Sequence, residues 1–140
     1  MIGWYYKGKE IKEIPEGFNF FVYKITNTQN NMIYIGYKGF YTTKKKNLLK
    51  KEKSADKRKK TYKKVTNESN WKTYNSSSKF LAELIKDNPK FFKKEILMFC
   101  KTQLQARYYE AKLQFQYEVL EKEDYSYNEN ILGKFYRKNI

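Results

Sequence analysis

Apolar and polar positions change period along this chain, and the changes mark its elements. Phe20–Thr26 and Met32–Tyr37 are short runs of β-branched and aromatic residues joined by Asn27-Thr28-Gln29-Asn30-Asn31. Such runs around an Asn-rich link predict a β-hairpin, because Asn tolerates the positive φ of a tight connection. Alternation along a strand puts Phe21, Tyr23 and Ile25 on one face, and Met32, Tyr34 and Gly36 on one face of the partner. Closing the hairpin sets the hydroxyls of Tyr23 and Tyr34 on one side, with Gly36 leaving space beside them. Further on, Phe80, Leu81, Leu84 and Ile85 recur at helical spacing until Asn88-Pro89, and the serines before them offer N-caps. Phe91–Cys100 reads as a third strand of a small antiparallel sheet. Gln103–Glu121 then reads as the strongest helix, with Leu104, Tyr108, Ala111, Phe115 and Val119 as its apolar stripe. Residues 1–19 predict a short edge strand in which Trp4, Tyr5 and Tyr6 pack rather than stack on bases.

Composition changes the picture in three ways. At 140 residues the chain forms one domain with a modest core. Fourteen Tyr, ten Phe and two Trp make that core aromatic. Thirty Lys and Arg against fifteen Asp and Glu give a net charge of +15, which favours polyanionic partners through steering and counterion release. Histidine is absent and Cys100 is the only cysteine, which excludes intrachain disulfides and His/Cys zinc sites. The sequence shows neither a long apolar run nor a signal-peptide pattern. It reads as a cytoplasmic protein of a reducing compartment, without a membrane role.

The charge is concentrated. Residues 44–64 hold twelve basic side chains, among them Lys44, Lys45, Lys46, Lys57, Arg58, Lys59 and Lys60, against Glu52 and Asp56. A run this dense repels itself, so it predicts a loop or loose helix that a polyanion would neutralise. Candidate phosphate contacts therefore lie in this insert and in the segment Tyr74-Asn75-Ser76-Ser77-Ser78-Lys79, where free amides at the helix start also favour phosphate.

Phe21-Val22-Tyr23 and Tyr34-Ile35-Gly36 on neighbouring strands resemble the signature of the GIY-YIG nucleases, the first degenerate and the second intact. Tyr74–Lys79 looks like the Tyr-x-Gly-Ser-Gly-Lys-like segment of phage-type members, with Ser for Gly. Glu110 on the helix after the third strand, and Asn128 beyond it, match the positions of the family's metal-binding Glu and following Asn. The resemblance covers roughly residues 20–135. It implies an α+β fold, a three-stranded antiparallel sheet flanked by helices with a basic loop inserted after the hairpin. It also implies a single-domain endonuclease, phage-borne and homing-like, that hydrolyses double-stranded DNA with Mg²⁺ or Mn²⁺ in an infected bacterial cell, as a monomer or a transient dimer on DNA. By the same resemblance, Glu110 holds the metal and Tyr23 is the base. Tyr34 bonds phosphate or water, and Asn128 orients Glu110 or substrate. Many members carry an Arg on the first helix; none stands there in this chain, and Lys38 and Lys79 are the substitutes, with Arg58 a third. A noncatalytic nucleic-acid-binding protein that keeps the fold is the alternative.

Overall fold

The computed structural model describes residues 2–47 and 62–140. Its order is β1 (Trp4–Tyr6), β2 (Lys9–Ile11), β3 (Phe20–Asn27), β4 (Ile33–Gly39), β5 (Tyr41–Asn47), β6 (Tyr62–Glu68), α1 (Lys79–Asp87), β7 (Phe92–Cys100), α2 (Gln103–Gln116), β8 (Asn130–Ile131) and β9 (Phe135–Tyr136). Among the described residues no helix is long and apolar enough to cross a membrane.

The hairpin forms as its pattern predicts, with Tyr23 opposite Gly36 and Ile25 opposite Tyr34. Paired residues share a face, so Tyr23, Tyr34, Gly36 and Lys38 lie together. Strand β7 pairs antiparallel with β3 on its other side, and the register shifts between Val22 and Tyr23, bending the sheet at the site tyrosine. The expected three strands are only part of the sheet. Five strands run in the order β2-β1-β7-β3-β4, and β1 lies parallel to β7, so the sheet is mixed. The extra pair comes from residues 1–19, where Gly8 at φ 84° turns the chain back on itself.

The described ends of the basic run differ from the loop or loose helix expected there. They are strands, β5 and β6, paired antiparallel as a separate ribbon that sets Lys45 opposite Lys64 and Lys46 opposite Lys63. Tyr41, Thr42, Thr43, Val65 and Thr66 are strand formers, and their preference survives among the lysines. Lys57, Arg58, Lys59 and Lys60 lie outside the described residues.

Two cores sandwich the sheet. On the α1 side Trp4, Phe21, Tyr23, Phe40 and Trp71 interlock, with Phe21 centred 5.1 Å from Trp4 and 4.8 Å from Phe40. Phe21 stands where the family has Gly, and this cluster accounts for the change: the position fills a fully buried aromatic core. Lys94 is buried in the same layer. Its Nζ donates to Asn75 Oδ1 at 3.1 Å and sits 4.4 Å from the Trp4 ring centroid, while burial pushes its pKa down to about 8. On the opposite side Val22, Ile33, Ile35 and Cys100 meet Ala106 and Ala111 of α2.

Helix α2 packs on a face rotated from its predicted stripe, of which Ala111, and Val119 beyond the helix end, are the members buried. Ala106, Ala111 and Gln114 are buried, whereas Leu104, Tyr108 and Phe115 of the apolar stripe are 79%, 63% and 48% exposed. The helix also stops at Gln116 rather than Glu121, and Glu118 just beyond has a positive φ of 53°.

Candidate active site at the edge of β4

Strand β4 is the sheet's edge, so its outward N–H and C=O groups need partners. Asn128 answers Ile35 twice: its Oδ1 accepts from Ile35 N at 3.0 Å and its Nδ2 donates to Ile35 O at 2.9 Å. Gln114 Nε2 donates to the same carbonyl at 2.9 Å, and Glu110 accepts from the Tyr37 N–H. Small Ala106 and Ala111 bring α2 close enough for these contacts. That explains the rotated helix: the face presented to β4 is the one that satisfies its backbone.

Asn128 is itself held in place. Ser126 Oγ donates to its Oδ1 at 2.9 Å, and the Arg137 guanidinium donates to the carbonyls of Asn128 at 2.6 Å, Val119 at 2.7 Å and Ser126 at 3.1 Å. Arg137 was not among the residues singled out in the sequence, where a C-terminal arginine looks like one more surface charge.

The edge closes into a polar cleft of about 250 Å³ lined by Tyr34, Ser77, Arg107, Glu110, Gln114, Asn128 and Glu129, among others. Tyr34 reaches it from β4, and its hydroxyl lies 2.8 Å from Ser77 Oγ. Burial raises the Tyr34 pKa, and the Ser77 contact opposes that rise. Glu110 is pushed up to about 7, chiefly by burial; Arg107 and the Tyr37 N–H act the other way.

Tyr23 sits behind this lining. It is fully buried, and its hydroxyl is sealed with no hydrogen-bond partner of full geometry. Burial holds its pKa well above the ordinary value, with further rises from Tyr74 and Tyr34. Burial raises the Tyr74 pKa too, and contact with Tyr23 and Ser77 opposes that rise. Gly36 is required here: a Cβ would lie 2.5 Å from Tyr23 Oη and 2.7 Å from its Cζ. The space predicted beside the tyrosines is taken by Tyr23 itself.

The remaining candidates divide. Lys38 lies over the Tyr74 ring with Nζ 4.2 Å from the centroid, and burial lowers its pKa. Lys79 is exposed at the first residue of α1 and does not line the cleft. Ser78 caps α1 by accepting from Leu81 N at 3.2 Å, and Ser76 Oγ accepts from Ser78 N at 3.2 Å, so of the three serines Ser77 faces the cleft. Lys44 and Lys45 lie on the ribbon, exposed. The cation that does line the cleft is Arg107, one turn before Glu110. Its spacing, i and i+3 to the carboxylate, was the available signal, since helical residues so spaced are neighbours.

Among the described residues no group of three or more His, Cys, Asp or Glu is placed to hold a metal. The donors fit a mostly hydrated hard cation instead: one partly desolvated carboxylate, and Gln114 Oε1, a buried acceptor without a partner in the cleft wall.

No curated protein and no solved structure matches this sequence. A family model described as "Putative endonuclease segE, GIY-YIG domain" matches residues 4–140, which takes in both tripeptides, Glu110, Asn128 and the N-terminal strands. The chain belongs to the GIY-YIG nuclease family.

Proposed function

We propose that this protein is a divalent-metal-dependent endonuclease that hydrolyses phosphodiester bonds of double-stranded DNA at the edge of β4. The carrying observation is the convergence of Tyr34, Ser77, Arg107, Glu110 and Asn128 on one cleft, from four separate parts of a chain that matches the family along its length.

Hydrolysis needs an attacking water, charge stabilisation around phosphorus and a stabilised leaving oxygen. Glu110 would hold Mg²⁺ or Mn²⁺, which supplies Lewis acidity when bound. Arg107 takes the role that the family's first-helix Arg has elsewhere, offering a two-pronged donor to the phosphate. Lys38 acts from the Tyr74 side. Proton removal from water is assigned to the phenolate form of Tyr34, which lines the cleft and would form once Arg107 and the bound cation favour loss of its own proton to solvent; Tyr23, the base that the family resemblance implies, is buried behind the lining and burial keeps it protonated. Asn128 acts through β4, fixing the strand that presents Tyr34. The β5–β6 ribbon and the basic run beyond it supply backbone phosphate contacts, which position a duplex without reading its sequence.

Supercoiled plasmid incubated with Mg²⁺ or with EDTA tests the reading. Nicking or linearisation should require the metal, and Glu110→Gln should lower the rate by at least about 10²–10³. Undiminished cleavage by that variant removes Glu110 from the mechanism. Tight duplex binding by the wild type with no cleavage under any metal supports the noncatalytic alternative.

A further inference from the structure

The outer face of α2 carries an apolar stripe that, among the described residues, is left largely exposed. Leu104, Tyr108 and Phe115 join Leu132 around a groove of about 740 Å³, whose other lining residues are Arg107, Ala111 and Lys112. Phe135 extends it, its ring centred 5.8 Å from that of Phe115. Two features say what covers this face. Its lining includes two cations and no carboxylate, on a chain of net charge +15. It is also continuous with the active-site cleft, because Arg107 and Leu132 line both.

A second copy of the chain is a poor occupant. It would bring Arg107 and Lys112 against their own kind in a buried seam. An unpaired DNA strand fits both features: base faces stack on exposed aromatic rings whatever their sequence, and phosphates pair with the flanking cations. A duplex cannot use the rings, since its bases are already stacked.

We propose that this groove binds a single-stranded stretch of DNA adjoining the scissile phosphate, with bases against Tyr108 and Phe115 and phosphates against Arg107 and Lys112. The inference rests on the nuclease reading and names the form of its substrate: DNA whose strands are separated beside the cut, as at a flap, gap or bubble.

Fluorescence anisotropy of the wild-type chain in EDTA, where no cleavage occurs, measures affinity for a labelled single strand, a matched duplex and a flapped duplex. The double variant Tyr108→Leu/Phe115→Leu keeps apolar area but removes both π faces. It should lower affinity for the single strand and the flapped duplex by about tenfold or more. Affinity for the plain duplex should change by less than about twofold, and Tyr108→Phe should behave as wild type. Unchanged single-strand affinity overturns the proposal, as does equal weakening on all three substrates. So does a sedimentation shift showing a dimer that Leu104→Lys dissolves, which assigns the face to a second copy. Thermal melting of each variant separates lost stacking from lost fold. A wild type that binds none of the three DNAs would refute the nuclease reading itself; duplex binding with unaltered single-strand affinity in the double variant would refute this inference alone.

Discussion

The two helices dispose of their apolar residues differently. In α1, Leu81 and Ile85 are buried as its periodicity predicts, and of the same set only Phe80, at its start, is left 66% exposed. In α2, Ala106, Ala111 and Gln114 are buried and Tyr109 and Leu113 half-buried against the same core, while Leu104, Tyr108 and Phe115 face solvent. The first helix answers to the hydrophobic effect, which is non-directional and rewards area. The second answers to hydrogen bonding at a sheet edge, which is directional and punishes every backbone group left unpaired. Where Glu110, Gln114 and Asn128 meet β4, the requirement to satisfy Ile35 and Tyr37 outweighs the gain from burying Leu104. The helix that leaves the large residues of its apolar stripe exposed is also the helix that holds the site carboxylate.

The largest effect expected from breaking this contrast is at Glu110. Its folded pKa of about 7 lies above the ordinary 4.5, so the folded state penalises the ionised form. Stability is therefore lost as pH rises from about 4.5, and the loss is complete above about 7. Glu110→Gln should match the wild type at pH 4 in urea melts and exceed it at pH 8, by on the order of 1–2 kcal/mol after allowing for solvent screening. The same variant should lack metal-dependent cleavage, so stability and activity move in opposite directions. Metal and proton compete for this carboxylate, so the Mg²⁺ requirement should rise about tenfold for each pH unit below 7. A flat metal titration between pH 5.5 and 8 would show the ion to be held elsewhere.

Truncation of the two stripes sharpens the comparison directly. Leu81→Ala removes a fully buried side chain of α1 and should cost about 2–4 kcal/mol in denaturant unfolding. Leu104→Ala removes the same atoms from a residue that is 79% exposed and should stay within about 0.5 kcal/mol of the wild type. Comparable losses at both positions would mean that the α2 face is covered in solution.

Much of this arrangement is legible in the sequence because it follows from alternation and order. The hairpin, the shared face of Tyr23, Tyr34 and Gly36, the start of α1 and strand β7 come from local pattern. Glu110 and Asn128 are placed by their order after that strand, through the family resemblance. What escaped is set by tertiary demand. The orientation of α2 depends on which β4 groups lack partners, and the sheet order decides that. Arg107 reads as one charge among thirty until the helix is turned to face the cleft. The strands β5 and β6 are hidden because lysine interrupts the alternation of Tyr, Thr and Val. Residues 1–19 read as one short edge strand, yet β1 is paired on both sides, with β2 and with β7, which no local pattern shows.

The smallest effect lies where the two helices begin. Helix α2 starts conventionally: Thr102 at φ −122° accepts from Gln105 N at 3.1 Å. The approach to α1 passes through Ser76 at φ +96°, a left-handed conformation that disfavours any residue with a Cβ. Ser76 aligns with the first Gly of the family's Tyr-x-Gly-Ser-Gly-Lys-like segment, so the strain marks a glycine position now held by serine. The hydroxyl offsets part of that strain through its contacts with Ser78 N and O, both at 3.2 Å. Ser76→Gly removes strain and hydroxyl together and should stabilise by about 0.5 kcal/mol or less. Ser76→Ala keeps the Cβ at positive φ and loses the hydroxyl contacts, so it should cost about 1 kcal/mol. Turnover should hold in the glycine variant, because Ser77 still meets Tyr34 in the cleft. Thermal melts of the pair decide the matter: an alanine variant as stable as the glycine one would show that the backbone at residue 76 is not strained by its side chain, and that the two helix starts differ only in sequence.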